Sequence, residues 1–137
     1  MRIIVCVDDR CGMLFNSRRQ SRDKVLIADV LSELKNNEKI RISSFSTLLF
    51  EGVEDRCVID DELLQNASEE DVCFVENIDV IPYLDSIDEI TVYRWNRCYP
   101  GDFFFRVDLE KQGFLKTSSY EFEGYSHEKI TRETFER

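Results

Sequence analysis

The sequence predicts a three-layer α/β domain, with a mixed, mostly parallel sheet covered by helices on both faces and a C-terminal antiparallel hairpin. Three observations predict it. Short apolar segments alternate with helical ones along the chain, the pattern of strand–helix units in a parallel sheet. Two of those segments, Arg2 to Val7 and Val72 to Val75, are apolar on both faces, as strands buried between two helical layers are. A strand-favouring stretch from Phe114 onward would close the sheet with an antiparallel edge.

Taken in order, Arg2 to Val7 is the first strand and Asp8-Asp9-Arg10-Cys11-Gly12 the turn that ends it. Met13 to Gln20 reads as an irregular polar loop. A helix starts near Ser21, a good N-cap, with Asp23 placed to favour the helix dipole. Ile27, Val30, Leu31 and Leu34 then recur at i, i+3, i+4, i+7 and make one apolar face. Asn36-Asn37 ends the helix. Lys39 to Ser43 is a strand, Ser44 to Phe50 a short turn of helix, Arg56 to Asp60 another strand and Glu62 to Ala67 a weak helix. Ile78 to Ser86 suits a helix with Pro82 in its first turns. Ile90 to Trp95 is strand-favouring on both faces; Phe103 to Leu109 and Phe114 to Phe122 are further strands. Periodicity leaves Lys129 to Glu136 open between strand and helix.

The chain of 137 residues is long enough for one domain, 1–137, that buries roughly 68–70% of the surface its unfolded form exposes. At 42% hydrophobic and 34% charged residues it has the composition of an ordinary globular protein. No apolar run approaches the roughly 20 residues of a membrane span, and Met1 to Asp8 is too short an apolar stretch for a signal peptide; the expected location is the cytoplasm. A net charge of −10 argues against nucleic acid and anionic membranes as partners. Five cysteines without a Cys-x-x-Cys pair, and a single histidine, His127, point to free thiols and to no structural metal.

Several segments, in order, resemble dihydrofolate reductase. Asp71 to Asn77, Ile81 to Asp85 and Glu89 to Arg94 are similar to that family's strand ending in Gly-Gly, its helix and its next strand. Gly101-Asp102-Phe103-Phe104-Phe105 is similar to its Gly-Asp-x-x-Phe loop, and Gly113 to Phe122 with His127 to Arg137 to its last two strands. The resemblance implies a shortened reductase fold with a strand at the C-terminus. It places Val7-Asp8 at the end of the first strand, Gly12-Met13 in the mobile loop and Asp23 on the helix that bears the catalytic carboxylate. Two departures concern the cofactor. Glu76-Asn77 stands for Gly-Gly, and Ser43-Ser44-Phe45-Ser46 for a Gly-Arg-x-Thr phosphate contact. A carboxylate where a pyrophosphate would approach backbone N–H groups repels it, so no dinucleotide cofactor is expected. The chain also resembles a group of short bacterial proteins that share Phe15-Asn16, Arg18-Arg19-Gln20-Ser21 and Val92-Tyr93-Arg94-Trp95-Asn96, some of which carry the name ribonuclease Z. That zinc nuclease needs a cluster of histidines and acids, and one histidine cannot supply it.

Candidate site residues concentrate between Asn16 and Lys24. Arg18, Arg19, Arg22 and Lys24 place four basic groups within seven positions of an acidic chain. With Asn16 and Gln20 they could hold a phosphate or carboxylate beside a helix N-terminus; the alternative is a solvated loop paired with nearby acids. Asp23 reads either as a dipole acid in the first helical turn or, if buried, as a general acid or base. Arg94, Trp95, Asn96 and Arg97 could form a polar lip beside a pocket at a strand end, or belong to ordinary packing there. Asp8-Asp9 needs no metal to explain it, His127 suits an exposed hairpin turn, and no Ser/His/Asp or Cys/His constellation is legible. The leading expectation is a non-catalytic module binding a small anionic ligand or a protein partner through the 16–24 loop. The second is a diverged oxidoreductase-like enzyme using Asp23 in a reductase-like cleft.

Overall fold

Strand β1 (Arg2–Val7) turns Ile3, Val5 and Val7 to one side and Ile4 to the other, and all four are buried. The computed structural model describes Met1–Arg137. After β1 come β2 (Gly12–Phe15), β3 (Arg18–Arg19), helix α1 (Lys24–Ser32), β4 (Ile40–Ile42), β5 (Cys57–Ile59), α2 (Leu63–Asn66), β6 (Val72–Phe74), β7 (Glu89–Arg94), β8 (Phe103–Phe104), β9 (Leu115–Phe122) and β10 (Ile130–Glu136). Seven strands form one sheet in the order β5–β4–β6–β1–β7–β10–β9. The first five are parallel; β10 pairs antiparallel with β7 and with β9. The tail left open between strand and helix is thus a strand.

Each face of the sheet carries its own core. On one side Ile4, Phe74, Tyr93 and Trp95 pack with Leu26 and Val30 of α1 and with Phe50. On the other, Ile3, Val5, Cys73 and Val92 pack with Leu63 and Leu64 of α2 and with Leu84. Burying each of these large side chains contributes about 1.5–3 kcal/mol. Polar bonds also tie α1 to the sheet: Tyr93 Oη donates to Asp29 Oδ2 at 2.6 Å, and Arg132 Nη1 donates to the same oxygen at 2.6 Å.

Four elements differ from expectation. Residues 13–20 are no irregular loop but a hairpin, β2–β3, whose Asn16 and Ser17 take φ of 51° and 60°. Both in the left-handed region make the two-residue turn that matches strand twist. Helix α1 is capped by Asp23 rather than Ser21 and ends at Ser32, short of Asn36-Asn37. The segment 78–86 is helical only over Ile81–Ser86, as a 3-10 helix. The strand expected over 103–109 is limited to Phe103–Phe104, held by β2 in a second, three-stranded sheet. No helix is long and apolar enough to cross a membrane.

Candidate functional site

The carboxyl ends of β1, β6 and β7 meet the N-terminus of α1, the position where open α/β sheets form crevices. Asp23 organises this corner. As N-cap it accepts from Val25 N–H at 2.9 Å on Oδ1, which also accepts from Tyr125 N–H at 2.9 Å. Its Oδ2 accepts from Ser126 N–H at 2.9 Å and contacts His127 Nδ1 at 2.8 Å. The carboxylate is therefore the anchor of the β9–β10 loop. Burial alone would raise its pKa, but the bonds from Tyr125, His127, Ser126 and Val25 outweigh it and hold the carboxyl well below the usual range. Gly124 makes the close approach possible: a Cβ there would lie 2.6 Å from Asp23 Oδ2 and 2.8 Å from Ile130 Cδ1.

His127 is buried, not exposed. Its ring stacks on Trp95 with centroids 4.6 Å apart and planes inclined by 29°. With ionised Asp23 at Nδ1, the neutral ring carries its proton there and leaves Nε2 as acceptor. Two hydroxyls face that nitrogen, Ser21 Oγ at 2.9 Å and Tyr99 Oη at 3.1 Å, and they lie 3.3 Å from each other. Ser21, His127 and Asp23 thus form a hydroxyl–imidazole–carboxylate series. Local spacing could not show it, because His127 is 106 residues from Ser21 and 104 from Asp23. The available signal was the single histidine beside Gly124 and Ser126, where a loop can press its backbone against a carboxylate.

Ser21 stands between two spaces. Inward, a slot lined by Cys6, Leu26, Ile27, Leu49, Phe74 and Trp95, and also by Arg19, Arg22, Asp23 and Glu76, has about 20 Å³ open to a water-sized sphere, room for about one water or methyl group. Outward, a groove of about 370 Å³ is lined by Ser17, Arg18, Arg19, Ser21, Arg22 and Phe45. The cysteine of the slot is a weak nucleophile: burial and the Glu76 carboxylate push the Cys6 thiol well up, against the lowering effect of Arg19.

The basic residues of the 16–24 segment divide. Arg19 is committed to Glu76 through two 3.0 Å bonds and to Phe45 O at 2.8 Å, while Ser46 Oγ donates to Glu76 at 2.7 Å. Arg18 and Arg22 are exposed and make no ion pair. Asn16 sits at the hairpin tip, its N–H donating to Asp102 Oδ2 at 3.1 Å. Gln20 Nε2 donates to Pro100 O at 3.0 Å, and its Oε1 is buried with no partner. Arg94 and Asn96 lie outside the cleft. Arg94 pairs with Glu133, and Asn96 Nδ2 donates to Lys129 O and Thr131 Oγ1 at 3.1 and 2.9 Å. Trp95 between them is the residue that faces the slot. Asp8 is buried and accepts from the N–H groups of Arg10, Gly12 and Tyr99 at 2.7–3.0 Å, a structural role at the base of the same loops. No cluster of three metal-ligating side chains exists.

No protein-family profile matches the chain, and no curated protein matches it in sequence. Solved structures do. Dihydrofolate reductase from Enterococcus faecalis, in a complex with NADP(H) and RAB-propyl, superposes with a TM-score of 0.66 at 13% identity, over 99% of this chain and 95% of the reductase. The chain therefore has the dihydrofolate reductase-like fold.

Proposed function

We propose that this protein binds a small anionic molecule in the groove between β3 and the N-terminus of α1, with Arg18 and Arg22 holding the charge. One observation carries the reading: two guanidinium groups without carboxylate partners line one open groove in a chain of net charge −10. An arginine pair offers planar donors suited to phosphate or carboxylate. Dinucleotide-dependent reduction has less support, because the Arg19–Glu76 pair fills the end of β6 with a half-buried carboxylate.

The test is thermal unfolding in phosphate, sulfate and citrate. At ten times its dissociation constant a ligand specific for the folded state contributes about 1.4 kcal/mol, or roughly 3–5 °C in Tm for a chain of this size. Arg18→Ala with Arg22→Ala should remove the gain, and high salt should weaken it. Equal shifts in native and doubly substituted protein would refute the groove.

A further inference from the structure

We propose that Ser21 is a nucleophile, activated by His127 and Asp23, that accepts a short acyl group from a small anionic ester held in the groove. This rests on the binding reading above, which it extends from holding a molecule to transforming it. The geometry is that of a base between a hydroxyl and an orienting carboxylate: Ser21 Oγ to His127 Nε2 is 2.9 Å, and His127 Nδ1 to Asp23 Oδ2 is 2.8 Å. The base is held rigidly, with the His127 side chain 2% exposed, the Asp23 side chain fully buried and the imidazole stacked on Trp95. Ser21, by contrast, is half-exposed and borders both the outer groove and the inner slot.

The balanced step follows from these positions. Ser21 Oγ bonds to the ester carbonyl carbon as its proton passes to His127 Nε2. The carbonyl π electrons move to oxygen, where the Tyr99 hydroxyl, 3.3 Å from Ser21 Oγ and 3.1 Å from the imidazole, stands as a donor to the developing oxyanion. Collapse breaks the C–O bond to the leaving alcohol, which departs with the proton from His127. Water then repeats the sequence on the acyl-Ser21 ester and releases the acid, so ester and water become acid and alcohol. Two features select the substrate class. Arg18 and Arg22 favour a negative charge on the alcohol portion, which lies in the groove. The slot behind Ser21 has room for about one methyl group, which limits the acyl portion to an acetyl-sized unit.

The test uses the full chain and a fluorophosphonate probe, with intact mass and peptide mapping. The expected result is a single adduct on Ser21, absent in Ser21→Ala, and formed at least about a hundred-fold more slowly in His127→Gln, the range of a lost general base. Because His127→Gln could unfold the loop, Tyr99→Phe is run beside it, with circular dichroism for both. Tyr99→Phe, with its fold checked in the same way, should slow hydrolysis of p-nitrophenyl acetate by roughly ten-fold or more, and the native protein should prefer acetate over octanoate. No adduct on folded native protein, or equal labelling in Ser21→Ala, overturns the nucleophile. If phosphate still raises Tm through Arg18 and Arg22 in that case, the binding reading stands alone; if neither occurs, both fall.

Discussion

Replacing Asp23 by asparagine should cost this protein a large share of its stability, and the structure sets the size. Oδ1 accepts two N–H groups, from Val25 and Tyr125, and Oδ2 accepts Ser126 N–H and faces His127 Nδ1. Asparagine keeps one oxygen. With the NH₂ on the Oδ1 side two N–H groups face it; on the Oδ2 side Ser126 N–H does, while His127 can accept by changing tautomer. Each orphaned donor costs about 1–3 kcal/mol, so one or two of them cost roughly 1–6 kcal/mol, a large part of a typical 5–15 kcal/mol. Urea unfolding of Asp23→Asn, read by circular dichroism and by the fluorescence of Trp95, measures it. A loss below about 1 kcal/mol would refute the reasoning that this carboxylate anchors the β9–β10 loop to α1.

The same bonds give a pH signature. The folded pKa of Asp23 lies below its unfolded value, so its contribution is fully present above about pH 5, begins to fall at the unfolded pKa of about 3.9, and is gone only once pH passes below the folded pKa as well. The gap between native protein and Asp23→Asn should therefore narrow by about 1 kcal/mol between pH 7 and pH 3. Asp8 is also held low: its bonds from Tyr99, Gly12, Arg10 and Gln20 outweigh burial. It is common to both proteins, so its effect cancels in the difference.

Further outcomes follow from single contacts. Gly124→Ala should destabilise by about 1–3 kcal/mol, because the new methyl meets Asp23 Oδ2 at 2.6 Å and Ile130 Cδ1 at 2.8 Å; an unchanged Tm would contradict that packing. Arg19→Ala should cost more than Arg18→Ala, by roughly 2–4 kcal/mol in urea titrations, since it strands the half-buried Glu76. Calorimetry with NADPH should show no binding at micromolar concentrations, the Glu76 carboxylate standing at the end of β6. Under native conditions at neutral pH, iodoacetamide should modify exposed Cys98 first and leave buried Cys73, whose thiol burial pushes up to about 12, unmodified.

The layered fold was legible because burial leaves a direct trace in the sequence. Arg2 to Val7 and Val72 to Val75 read as doubly covered strands and are so, and the i, i+3, i+4, i+7 series of α1 does face the sheet through Val30. Elements whose stability comes from a few contacts were not. The β2–β3 hairpin depends on left-handed Asn16 and Ser17 and on pairing with the distant β8, and neither leaves a hydrophobic period. The cap moved from Ser21 to Asp23 because Asp23 also serves Tyr125, Ser126 and His127, a demand made by the far end of the chain. The imidazole was misplaced for the same reason: polar flanking residues signal exposure, whereas stacking on Trp95 and bonding to Asp23 buries it.

Arg19 and Glu76 show why the site itself had to be seen assembled. Taken singly from the sequence, Arg19 is an anion ligand and Glu76 repels anions, so the two assignments pull the same groove in opposite directions. In the structure they face each other across 57 residues through two 3.0 Å bonds, and each satisfies the other. Their charges cancel at close range, and the bidentate geometry with Phe45 O and Ser46 Oγ makes them a rigid wall rather than a binding element. What remains is the residue of the subtraction: Arg18 and Arg22 on the open side, and Ser21 between them and the slot. Removing Arg19 would thus act on anion binding in the same direction as removing its neighbours, but indirectly, through the carboxylate it leaves unpaired. It would free Glu76 to repel the ligand, so Arg19→Ala should weaken phosphate binding, and Arg19→Ala with Glu76→Gln should restore it. Failure of the second substitution to restore binding would mean that Arg19 itself touches the anion.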